Sequence, residues 1–305
     1  METIRDTDPK LAIPAPAPIG RLYRLPGSAS LTLRANGSPA IPRNSEIMSL
    51  VQSGTWAPSI TNVIDMLNKP HLVTWGAKVA IQELIKVESR YPGVTIQKPS
   101  KALAYYKVEH ERQRDAAADK GTTVHNACEM LANGQSLDNL VTPLTEEEAL
   151  HVESWKNWRE RWNPEFLATE VTVFGTTLDG LHYAGTADFV ARINGKIVAG
   201  DLKTTRSGLH DEVSLQLTAV ARAQSMSRDG ETMEPNFVAD AAIAVHLSAE
   251  GYAVKQADIS DEKWEVFSGL RRAWMFNAFR GQTSPSHPAL SRSLAGPEML
   301  IFDAS

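Results

Sequence analysis

The chain has 305 residues, 42% of them hydrophobic and 22% charged, with a net charge of −5 and one cysteine, Cys128. That length can bury a substantial core in one large domain or two small ones. A single cysteine excludes a disulfide framework and an iron–sulfur cluster held by four cysteines, and the mild acidity excludes a globally basic nucleic-acid binder, so any DNA contact must come from local patches. No stretch is long and apolar enough to span a membrane, and the first residues lack a basic-then-apolar signal pattern, so a cytoplasmic protein is expected.

Residues 1–45 begin with a proline-rich stretch, Pro14-Ala15-Pro16-Ala17-Pro18, which reads as a disordered or extended leader. Short β-prone runs, Leu22 to Leu25 and Leu31 to Leu33, suggest a small edge hairpin. Residues 46–120 read as a helical region. Ala57-Pro58-Ser59-Ile60-Thr61 opens a helical period carried by Val63, Ile64 and Leu67, and Pro70 suits the first position of a second helix through Trp75, Val79 and Ile85. A third helix is expected over Ser100 to Ala118. Its Tyr105, Tyr106, Arg112 and Arg114 could stack on and neutralise a single strand, although a solvated charged face is commoner.

Residues 121–280 carry the chemistry. Gly121-Thr122-Thr123-Val124-His125 starts a helix to about Leu131, with His125 and Glu129 four apart on one face. Cys128 is read as a small buried side chain rather than half of a Cys–His catalytic pair. Thr145 and Glu148 form a capping box for a helix ending near Trp162, with Trp155, Trp158 and Trp162 as a core stripe. Ala168 to Phe174 reads as a strand. Asp179-Gly180 and Asn194-Gly195 then mark two type I′ turns, because both central positions of that turn need positive φ. The result is a three-stranded antiparallel meander.

The second turn fixes a register in which Ile193 faces Lys196 and Asp188 faces Asp201. Carboxylates so placed, about 5 Å apart, repel by about 3 kcal/mol at an effective dielectric near 20. A divalent cation would reverse that sign. Lys203 lies on the same face as Asp201, while Ala187, Phe189, Ala191, Val198 and Leu202 form an apolar opposite face. A two-residue turn at Asp179-Gly180 puts Val171, not Glu170, opposite Asp188; a bulge at Gly175 or Gly185 would shift this by one residue. Further on, a helix over Asp211 to Ala223 carries Gln216. Strands are expected over Val238 to Leu247 and Val254 to Ile259. Ser260 caps a last helix with Trp264, Phe267, Leu270 and Trp274 on one face and Arg271, Arg272 and Arg280 on others. Residues 281–305 read as an irregular tail.

Asp188 followed by Asp201-Leu202-Lys203 resembles the PD-(D/E)XK nuclease motif, and Gly185-Thr186-Ala187-Asp188 with Thr204 is similar to its RecB-type branch. Gly121-x-x-x-His125 resembles that branch's histidine motif, and Gln216 its Gln-x-x-x-Tyr motif, with Val220 at the tyrosine position. Pro58-Ser59-Ile60-Thr61 and the helix from Pro70 are similar to the substrate-entrance region of phage exonucleases. The CRISPR-associated exonucleases are also similar, but their cluster cysteines are missing here. The resemblance implies an α+β (α/β) restriction-endonuclease-like core, a mixed central sheet flanked by helices, with an added N-terminal helical region. It implies a Mg²⁺- or Mn²⁺-dependent DNA exonuclease of recombination, replication or repair, acting in the host cytoplasm if phage-encoded, with DNA and phage recombination or replication proteins as partners. One or two ions would lie among His125, Asp188, Asp201 and the Leu202 carbonyl. Lys203 would be catalytic, Gln216 would lie near the DNA backbone, and Glu129 and Glu170 are further candidates. Two alternatives stay open: a catalytically silent DNA-binding or assembly module, and a two-carboxylate enzyme such as a glycosidase. Oligomeric state is open.

Overall fold

The computed structural model describes residues 12–15, 19–28, 44–67, 70–91, 121–205 and 208–279. The expected helix over Ser100 to Ala118, with Tyr105, Tyr106, Arg112 and Arg114, lies outside them, as do the 281–305 tail, Arg280 and the side chain of Trp75.

The first elements differ from expectation. β1 (Ala12–Ala15) sits within the expected leader and pairs with β2 (Gly20–Arg24), which pairs with β3 (Trp56–Pro58) in a small antiparallel sheet. Between them lies α1 (Asn44–Gln52). A helix, α2 (Ile60–Ile64), opens at the expected run, with Ser59 capping it by accepting from the Asn62 N–H, and α3 (Pro70–Arg90) starts on its proline. Ser59 bridges to Ala184, and Ile60 packs where a side chain on Gly185 would stand, so this region is fastened to the main sheet.

The main sheet has seven strands in the order β10-β9-β6-β5-β4-β7-β8. These are β4 (Glu165–Thr176), β5 (His182–Ile193), β6 (Lys196–Lys203), β7 (Ser225–Ser227), β8 (Glu234–Pro235), β9 (Ala241–Ser248) and β10 (Gly251–Gln256). β6 and β9 run parallel; the other pairs are antiparallel, so the sheet is mixed. The crossover between β6 and β9 contains α6 (Glu212–Arg222), and α7 (Asp261–Ala278) follows β10. α4 (residues 121–132) and α5 (Glu146–Trp162) precede the meander, α5 opening on the predicted Thr145–Glu148 capping box. The fold is α+β, a mixed central sheet flanked by helices.

Helices cover both faces of this sheet. On one, Trp155 and Trp158 stack at 4.7 Å, and Phe189 closes edge-on to Phe166 at 5.8 Å. Val124, Cys128, Val198 and Leu202 belong to this same core. Trp162 is 38% exposed and falls outside the expected stripe. On the other face, Val190 and Ala199 pack with residues of α2, α6 and α7. Ala187 joins this second cluster rather than that of Phe189, so strict alternation along β5 is lost around Asp188. Gly200 has no room for a side chain, because an added Cβ would overlap the Phe189 ring lying across it.

Arg271, expected away from the apolar face of the last helix, lies in the core. It is fully buried, donates from Nε to the His182 carbonyl at 2.7 Å, and lies 5.0 Å over the Trp274 ring. Burial pushes its pKa down to about 9 against the opposing pull of Asp179. Its neighbour Arg272 does reach outward, donating twice to Asp179 at 3.0 and 2.9 Å.

Candidate metal centre at a gap in the sheet

The Asn194-Gly195 turn forms as the sequence predicts, with φ of 49° and 79° and Ile193 opposite Lys196. The ladder then runs to Phe189↔Gly200 and stops. Asp188 and Asp201, expected to form the next rung, do not pair. Continued alternation would have the Leu202 N–H donate to the Ala187 carbonyl. It donates instead to Asp188 Oδ2, at 2.6 Å. The carboxylate therefore stands in for a strand and holds the gap open.

A second gap lies on the other side of β5. The Asp179-Gly180 turn is not type I′. Three residues, 178 to 180, form the loop; the Gly180 N–H donates to the Thr177 carbonyl, and only Gly180 among the three has positive φ, at 76°. This is a type I turn followed by a left-handed glycine. The extra loop residue moves the register by one, giving Thr169↔Phe189 and Val171↔Ala187. Glu170, which a two-residue turn excludes, thus comes opposite Asp188. It does not join the ladder, because its backbone is left-handed with φ 45°. For a glutamate that conformation costs about 1–2 kcal/mol. Strain of this kind concentrates where side chains are held for function.

The two gaps gather the chemistry. Ligand atoms of His125, Glu170 and Asp188 all lie within 4.8 Å of one another. His125 Nδ1 is 3.7 Å from Asp188 Oδ2. The His125 helix lies against the end of β6, where a Cβ on Gly121 would stand 3.4 Å from Thr204 Oγ1. Glu129, Cys128, Thr169 and Leu202 line the same small cleft. Cys128 is fully buried there, and burial pushes its thiol up, so it remains an inert wall residue as expected.

Asp201 stands apart from this trio. Only 3% of it is exposed. Lys203 donates to its Oδ1 at 2.9 Å and lies 2.7 Å from its Oδ2, the latter contact lacking hydrogen-bond geometry. Gln216 also donates to Oδ1, at 2.6 Å. Of the expected ligands, His125 and Asp188 group with the further candidate Glu170, while Asp201 is engaged by Lys203 and Gln216. Gln216, expected at the DNA backbone, makes its shortest contact with Asp201.

The electrostatics follow this crowding. Desolvation of the Glu170 carboxyl, then the charges of Asp188, Glu129 and Asp201, push its pKa up to about 9, although much of the residue remains exposed. Burial pushes Asp201 up to about 6, against the pull of Lys203. For Lys203, burial disfavours the charge, but Asp201 and Asp188 outweigh it and raise its pKa. One lysine thus faces two carboxylates, Asp201 and Asp188, with the Glu170 carboxyl crowded beside them, an arrangement that favours a further cation.

No family model matches the chain, and no curated protein does. Among solved structures, one titled "Crystal structure of SSO0001" is similar, with 19% identity and a TM-score of 0.29 over 45% of this chain and 60% of that one. The chain therefore spans less than two thirds of that structure, and so slight a likeness carries no argument. No helix among the described residues is long and apolar enough to cross a membrane.

Proposed function

We propose that the protein is a metal-dependent deoxyribonuclease, an exonuclease of the PD-(D/E)XK type. The observation that carries this reading is the convergence of His125, Glu170 and Asp188 at a gap in the sheet, beside the Asp201–Lys203 pair. The donor set fits one hard divalent ion. Donors within 4.8 Å of one another can share a cation at bond lengths of about 2.0–2.6 Å. The imidazole tilts the choice from Mg²⁺ toward Mn²⁺. A residue's N–H and C=O leave a strand on the same side, so the Leu202 carbonyl faces the gap that Asp188 holds open and is a further donor.

Such an ion, when bound, would polarise a scissile phosphate and lower the pKa of an attacking water. The chain's own residues do the rest. Asp188 fixes the Leu202 backbone while presenting its carboxylate. Lys203 holds an ammonium at the edge of the site, where it can orient water and offset charge developing on phosphate. Asp201 and Gln216 fix that ammonium in place. The test is digestion of end-labelled single- and double-stranded DNA with Mg²⁺, Mn²⁺ or EDTA. Cleavage that needs the cation and starts from ends supports the reading; no cleavage with either ion rejects it in favour of a silent DNA-binding module.

A further inference from the structure

A second cavity, about 150 Å³, lies on the far side of Lys203. Its walls come from α2 and its C-cap (Thr61, Ile64, Asp65), the end of β6 and the residues just after it (Lys203, Thr205), and α6 (Glu212, Val213, Gln216), with Gly208 and His210 between. It shares Lys203 and Gln216 with the centre described above but none of His125, Glu170 and Asp188. A group held there would place its neighbour on the chain at the Lys203 ammonium.

We infer that this cavity takes the base of a single unpaired nucleotide at a strand end, with its linking phosphate at Lys203. The inference rests on the nuclease reading and adds the form of DNA that the site accepts. Two observations and one general energetic argument support it. First, the volume is about half the lower bound, roughly 300 Å³, of pockets that hold a drug-sized ligand, so it suits one base or sugar and not a dinucleotide. Second, the wall chemistry is amphipathic. Ile64 and Val213 offer apolar surface, while Thr61, Thr205 and Gln216 offer hydrogen bonds. Asp65 and Glu212 put two carboxylates in the wall, which repel a terminal phosphate but accept from amino or hydroxyl groups. A neutral base therefore fits between these walls better than a terminal phosphate. Third, a base reaches such a cavity only after leaving its stack. That costs a few kcal/mol inside a duplex and least where the nucleotide is already unpaired.

The experiment compares steady-state cleavage by wild type, Thr61→Trp and Val213→Trp with Mn²⁺ on three duplexes: blunt, with one unpaired terminal nucleotide, and with that nucleotide abasic. Thr61 is exposed and Val213 half-buried, so both positions can take a larger ring; the melting temperature and its Mn²⁺-induced rise verify fold and metal site. Wild type is expected to show a KM at least tenfold lower for the unpaired end than for the blunt or abasic end. Both tryptophan variants are expected to lose that preference while keeping the Mn²⁺-induced rise. Equal KM on all three duplexes for wild type, or an unchanged preference in both variants, overturns the proposal while leaving the nuclease reading intact. Absence of cleavage by wild type overturns both.

Discussion

Asp188 Oδ2 accepts the Leu202 N–H at 2.6 Å, one residue past the last rung of the β5–β6 ladder. One carboxylate thus has two duties, closing a backbone hydrogen bond and facing His125 and Glu170. The duties separate by mutation. Asp188→Asn keeps an acceptor for Leu202, whereas Asp188→Ala leaves the N–H unmet, at about 1–3 kcal/mol. On the proposed metal-site reading Mn²⁺ should raise the melting temperature of wild type, and both variants should lose that rise, since a ligand stabilises only the state that binds it. Urea unfolding in EDTA should show the alanine variant alone clearly destabilised. Equal unfolding midpoints for the two would remove the backbone role.

Glu170 gives a pH signature. Its folded-state pKa lies near 9, raised from an ordinary 4.5, so the folded state resists ionisation that the unfolded chain accepts. Stability from the protonated form is fully present below about pH 4.5 and is lost as pH rises toward 9. Metal-free Glu170→Gln should therefore melt higher than metal-free wild type at pH 8, with the difference closing toward pH 4.5. Melting curves in EDTA across that range check this. A difference independent of pH would mean that the carboxyl is not held among its neighbours in this way.

Lys203 separates metal binding from cleavage. Lys203→Ala should keep the Mn²⁺-induced rise in melting temperature and lose about 100-fold or more in cleavage. Lys203→Arg should restore only part, because a planar guanidinium cannot reproduce a compact ammonium between Asp201 and Gln216. Normal cleavage by the alanine variant would make Asp201-Leu202-Lys203 a chance match.

Gly200→Ala tests the floor of the site. The new methyl would overlap the Phe189 ring, so that ring, packed with Trp155 and Trp158, must move. Overpacking of this kind costs about 1–3 kcal/mol. Urea unfolding measures it, and a double change with Phe189→Leu should recover part of the loss.

The two turns show what the sequence could reveal. Asn194-Gly195 was legible because two adjacent residues suited to positive φ permit little else in a tight hairpin. Asp179-Gly180 looks alike but sits differently. Thr177 opens a type I turn, its hydroxyl donates to Asp179 Oδ1 at 2.6 Å, and glycine takes the fourth place. A threonine three residues before the glycine was the available clue, and the single-residue shift it implies decides whether Glu170 reaches the site. The Gln216–Asp201 contact and the burial of Arg271 depend on how α6 and α7 dock against the sheet, which local pattern does not encode. The mixed sheet with flanking helices was legible; the strand at Ala12–Ala15 was hidden by Pro14 and by Pro16 and Pro18 just after it.

The meander has a consequence for how the chain reaches this state. Glu170, Asp188 and Asp201 sit on consecutive strands joined by two short turns, so they meet through contacts that are local in sequence. β9 pairs parallel with β6 only after the crossover through α6 has closed, and such non-local pairing is the slower event. Mutual repulsion is therefore built into an element expected to form early. If the proposed ion binds here, its presence during refolding should speed the folding limb itself, so that it would act as an assembly factor for the chain as well as a ligand of the finished site.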